Sequence, residues 1–158
     1  MKKILIGIIS LILALSMAAC SSGAESADVK AIGKSVVKAA GKLPEMLTVS
    51  SDSDEAETLF KSVSDMDYDK IAGFYLSYSA DGTAYEIAVI EVKDENDIKE
   101  LEKSLGAHLS SRINLYKAYS PKQTAQAEKA EITTSGKLCA LIMCSDTASA
   151  VKAFKAQK

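Results

Sequence analysis

Asp81-Gly82 stands between two apolar runs, residues 71–79 (IAGFYLSYS) and 84–92 (AYEIAVIEV). No other feature constrains the fold of this chain as tightly. Asp-Gly between alternating apolar stretches is the strongest short-range hairpin signal, because a type I′ turn needs positive φ at both central residues. A two-residue loop at Asp81-Gly82 predicts that Tyr78 faces Tyr85, Leu76 faces Ile87 and Phe74 faces Val89. Those six side chains then share one face, which is expected to be the core side. Ser77, Glu86, Tyr75, Ala88, Gly73 and Ile90 make the opposite, more mixed face.

The rest of the chain arranges itself around that hairpin. Residues 27–40 put Val29, Ile32, Val36 and Ala40 on one helical stripe, with Asp28 near the N-cap and Gly41 as the stop. Residues 44–50 read as an extended segment. Residues 53–63 open with Ser53 as cap and an acidic first turn, and predict a second helix. The longest helix is expected over about 95–118, capped by Asp94, with Ile98, Leu101, Leu105, Leu109, Arg112 and Tyr116 at helical spacing. Ser120-Pro121 ends it and starts a short helix, since serine caps and proline suits the first helical position. Ser135-Gly136 separates "AEITT" from "KLCALIMC" as a second hairpin, and residues 145–157 close with a capped helix burying Val151 and Phe154. The expected fold is α+β. It has an antiparallel four-stranded sheet made from two hairpins in the order ββαββα, with helices packed on one face. One or two N-terminal helices precede it.

The N-terminus carries a different signal. Lys2 and Lys3 precede an apolar run at 4–15, then Ser16, Met17, Ala18, Ala19 and Cys20. A run of that length suits a signal-peptide core, about 7–15 residues, whereas a spanning helix needs roughly 20. The small residues before Cys20 resemble the bacterial lipobox, with Met17 where leucine is usual. The resemblance implies that Cys20 takes a diacylglyceryl group before cleavage. Residues 1–19 are then a lipoprotein signal peptide, 20–27 the lipidated cysteine with a short tether, and 28–158 a single α+β domain. The seven tether residues after Cys20 span about 15 Å on average, so the domain is expected close to the membrane.

Charge excludes some partners. The precursor carries 19 basic and 21 acidic residues, net −2; without Lys2 and Lys3 the balance is 17 against 21, net −4. Such a mixture has no nucleic-acid footprint and no polybasic patch for lipid headgroups. Arg112 is the sole arginine, which weighs against bidentate recognition of phosphate or carboxylate. Cys139 and Cys144 lie in one predicted strand. Five residues of strand span about 16 Å and put the side chains on opposite faces, too far for a disulfide. They are expected to be buried free thiols.

The lipobox cysteine, the stretch "YEIAVIEVKDENDIKELEKSL" and the tail "LCALIMCSD" before a final helix together resemble a family of uncharacterised small bacterial lipoproteins. That family, a domain of unknown function, is common in clostridia-like Gram-positives. The resemblance covers roughly residues 65–155 plus the signal. It implies anchoring at the cell surface and brings no activity with it.

Chemistry-bearing patterns are few. His108 is the one histidine, so no zinc trio is at hand, and any His-based triad must run through it. "SVVK" at 35–38 matches Ser-x-x-Lys in letters without the partner motifs. Asp65, Asp67 and Asp69 resemble the opening of a calcium loop, but Lys70 stands where the turn needs glycine and Leu76 where a bidentate glutamate is needed. Glu86 is an oddity within an apolar run; a helix over its face would require a partner such as Ser77 or a lysine. No catalytic, cofactor-binding or metal-binding residue is assigned, and no cofactor is expected. The expected function is a membrane-anchored extracytoplasmic binding or interaction module. Its partner would be an envelope protein or a cell-wall component. The alternative is a cell-envelope enzyme whose site the sequence does not display; a deep pocket around His108 with a carboxylate in reach would favour it.

Overall fold

The structure, a computed structural model, describes residues 28–157. The expected signal peptide, Cys20 and the expected tether lie outside the described residues. Helix α1 (Val29–Ala39) is followed by strand β1 (Met46–Ser50), helix α2 (Ala56–Lys61), and strands β2 (Ile71–Ser79) and β3 (Glu86–Val92). Then come α3 (Ile98–Lys117), α4 (Pro121–Ala127), β4 (Glu131–Ser135), β5 (Leu138–Met143) and α5 (Thr147–Lys155). The strands form one antiparallel sheet in the order β1-β2-β3-β5-β4.

Local chemistry accounts for most boundaries. Asp28 Oδ1 accepts from the Ala31 amide at 2.9 Å and starts α1, and Gly41 ends the turn after it at φ +76°. Ser120 caps α4 with Pro121 at its first position. Asp94 Oδ1 accepts from the Asn96 amide, capping the 3-10 turn Glu95–Asp97 that leads into α3. Asp146 caps α5 by accepting from the Ser149 amide at 3.0 Å. Ser53 does not cap α2, because its hydroxyl accepts from the Ser50 amide at the end of β1.

Three expectations are corrected. The sheet has five strands, because the extended segment pairs with β2, Leu47 opposite Tyr78 and Val49 opposite Leu76. Helices cover both faces: α1 and α5 pack on Tyr75, Ile87, Val89, Ala140 and Ile142, while α2 and α3 pack on Phe74, Leu76, Ala88, Ile90, Cys139 and Leu141. The central hairpin is also shifted by one residue, so Tyr78 faces Glu86, Leu76 faces Ala88 and Phe74 faces Ile90. A one-residue slip exchanges faces. Ile87 and Val89 therefore lie on the side opposite Phe74 and Leu76.

The slip has a tertiary cause. Gly82 adopts φ +72°, but Asp81 does not take the positive φ that a type I′ turn needs at both central residues, and its Oδ1 accepts from the Thr83 amide and hydroxyl instead. The Gly82 carbonyl accepts from Tyr116 of α3 at 3.0 Å, and the Ala84 amide donates to Gln123 of α4 at 2.8 Å. Ala84 is buried with Tyr116, Ala127 and Met143. Gly82 and Ala84 are thus held by α3 and α4, and no tight two-residue turn forms.

Candidate functional site

Glu86 opens β3 on the face covered by α3, beside Tyr78 of β2 and Met143 of β5. Its side chain is 5% exposed. A buried carboxylate needs a partner, and α3 supplies one. His108, Arg112 and Tyr116 follow at intervals of four, which aligns them along one face of that helix. His108 Nε2 lies 2.7 Å from Glu86 Oε1. A carboxylate only accepts, so Nε2 is the donor. Arg112 Nε stands 3.8 Å from Glu86 Oε2, longer than a hydrogen bond. The partner of Glu86 is therefore His108. Ser77 faces the other side of the sheet, and its buried hydroxyl has no hydrogen-bond partner among the described residues.

Arg112 is held from behind by Tyr116. Nη2 donates to the tyrosine oxygen, and the guanidinium carbon lies 4.9 Å from the ring centroid. Tyr116 is fully buried and donates its own hydroxyl hydrogen bond to the Gly82 carbonyl. Burial pushes its hydroxyl pKa up, against the pull of the Arg112 charge.

These groups border a cleft of about 370 Å³ at the mouth between α3 and the β2–β3 hairpin. Ser62, Val63, Leu76 and Tyr78 form its other wall. The size lies at the lower end of the range for small-molecule sites, roughly 300–1,000 Å³. Its serine hydroxyls are committed. Ser62 Oγ donates to the Leu59 carbonyl at 2.6 Å, and Ser79 Oγ to the Thr83 carbonyl at 2.9 Å. A second depression of about 440 Å³ lies between Lys42, Leu43, Pro44, the hairpin loop and α4. It has lysines at its rim and no buried charged side chain.

The remaining candidates separate. Asp65 Oδ1 accepts from Ser104 at 2.5 Å, Asp67 Oδ1 accepts from the Asp69 amide, and the Asp69 carbonyl accepts from Lys93. The aspartates thus serve three different contacts, and among the described residues no cluster of His, Cys, Asp and Glu is suited to a metal. Cys139 and Cys144 are free and buried on opposite faces of the sheet. Burial pushes the Cys139 thiol up to about 12 and raises that of Cys144. Cys20 lies outside the described residues. Among them no helix is long and apolar enough to cross a membrane.

The sequence singled out Glu86 and His108 separately and did not join them. The available signal was the charge inside an apolar strand, which demands a partner once its face is covered. Fold and cleft together define a three-layer α+β domain with one carboxylate–imidazole–guanidinium cluster at a sheet–helix cleft. Residues 46–144 match the model of the family described as Domain of unknown function (DUF4358), and the chain belongs to that family. No curated protein and no solved structure matches it. The matched span contains Glu86, His108 and Arg112, whereas α1 and α5, which cover the other face, lie outside it.

Proposed function

We propose that the chain is a lipid-anchored lipoprotein on the extracytoplasmic face of the cell membrane, and that its domain binds a small envelope-derived ligand in the Glu86–His108–Arg112 cleft. The leader pattern ending at Cys20 supports the anchor. Buried Glu86 carries the binding reading. An apolar side chain on a central strand would stabilise the sheet without a desolvation penalty. A carboxylate there, turned toward a cleft and backed by His108, is what a recognition site uses.

The Glu86–His108 pair also supports a second reading, an envelope enzyme using the pair for proton transfer. A carboxylate in reach of His108 is the mark expected of such an enzyme, and the cleft has it; binding is still placed first because the serine hydroxyls lining the cleft are committed to backbone carbonyls and the two thiols are buried elsewhere.

Two measurements test the proposal. Cys20→Ala should release the protein from membranes or leave it unprocessed, read by detergent partitioning and intact mass; a mature N-terminus without lipid mass would refute the anchor. His108 gives the only histidine signals, so its ring resonances report the cleft. Amino acids, sugars and wall-peptide fragments should include a solute that shifts them and is recovered intact. Recovery of a converted product would favour the enzyme, and a folded protein that no solute shifts would refute the cleft.

A further inference from the structure

The cleft also has a chemical polarity that narrows what it takes. Arg112 is the sole arginine of the chain, and its guanidinium is fixed by the Tyr116 oxygen and ring. A guanidinium has five donors in a planar fork. One is committed to Tyr116. Nε is buried with no hydrogen-bond partner among the described residues. The nearest carboxylate oxygen, Glu86 Oε2, is 3.8 Å away, while Oε1 of the same group is bound by His108. Arg112 is thus pre-organised, 27% exposed at the cleft, and without a hydrogen-bonded carboxylate of its own. The facing wall offers Val63, Leu76 and the Tyr78 ring as apolar surface beside Ser62.

Resting on the cleft-binding reading, we infer that the ligand is a small organic monoanion, its carboxylate taken by Arg112 and its apolar part laid against Val63, Leu76 and Tyr78. A carboxylate matches the fork bidentately. A dianionic phosphate fits less well. Glu86 shares the cleft and would repel the second charge, and neither a lysine nor a glycine-rich loop lines the cleft to offset it.

The test uses three probes that share a phenyl ring and differ in charge: benzoate, benzamide and benzylamine. Equilibrium dialysis is run against the full chain in zwitterionic nanodiscs, with empty discs as control. Benzoate should bind at least about tenfold more tightly than benzamide. Arg112→Gln should abolish that preference, and Arg112→Lys should restore part of it, with circular dichroism showing each variant folded. If benzamide matches benzoate, or benzylamine binds best, the inference is overturned while the cleft still stands as a binding site. A benzoate preference that survives Arg112→Gln also overturns it, because the anion then sits elsewhere. If none of the three binds, the inference is overturned; if in addition no other solute shifts the His108 resonances, the binding reading falls with it.

Discussion

His108→Ala probes the cleft through stability, without any ligand. The substitution leaves Glu86, 5% exposed, with no hydrogen-bonded partner and with Arg112 Nε 3.8 Å away as the nearest cation. Removing one member of a fully buried pair costs about 3–5 kcal/mol. His108 is itself 16% exposed, and truncation opens a path for water to Oε1, so the expected cost is lower, about 2–3 kcal/mol. Glu86→Gln keeps the shape and an acceptor oxygen while losing the charge, and should cost about 1–2 kcal/mol. The two changes should not add, because His108→Ala costs little once residue 86 is uncharged. A coupling of about 1–2 kcal/mol is expected from the double-mutant cycle. Replacing both residues by leucine should be close to neutral or stabilising, since two desolvation penalties vanish together. Urea unfolding followed by circular dichroism reads all of this. At a slope of about 2 kcal/mol/M, His108→Ala should lower the midpoint by about 1–1.5 M with the slope unchanged. A shift under about 0.25 M, with additive single changes, would mean that Glu86 is hydrated in solution and would refute the reasoning.

Four further outcomes are expected. Gly33→Ala would drive a Cβ into the Tyr75 ring, so the usual helix gain of about 1 kcal/mol should turn into a loss of about 1–3 kcal/mol, read by thermal unfolding. Phe74→Ala and Ile87→Ala, on opposite faces of the sheet, should each cost about 2–5 kcal/mol, whereas a one-sided sheet would spare one of them. Cys139 and Cys144 should alkylate slowly in the native state and fully in denaturant without reductant; a requirement for reductant would contradict the free thiols. Hydrogen bonds from Ser149 hold the Asp146 carboxyl below its ordinary value, so its contribution is complete above the unfolded pKa near 4 and is lost as pH falls through the folded value. Asp146→Asn should flatten that part of an acid-unfolding profile.

What was legible in the sequence is what a few neighbouring residues decide. Asp28, Ser120-Pro121 and Gly41 set helix ends through groups within a few positions of themselves. The stripe running through Leu101, Leu105, Arg112 and Tyr116 fixed the buried side of α3, and the odd spacing of Cys139 and Cys144 fixed their opposite faces. The five-strand count was not legible, because an extended segment does not say which strand it joins until β2 offers a free edge. The hairpin register was not legible either. Asp81-Gly82 favours a tight turn by itself, and the bonds from Tyr116 to Gly82 and from Ala84 to Gln123 come from helices more than thirty residues away. The site follows from that register. Sequence alone places a carboxylate at 86, an imidazole at 108 and a guanidinium at 112. Only the shifted pairing of β2 with β3, and the packing of α3 across that face, put the first two within hydrogen-bond distance and leave the third beside them with donors to spare.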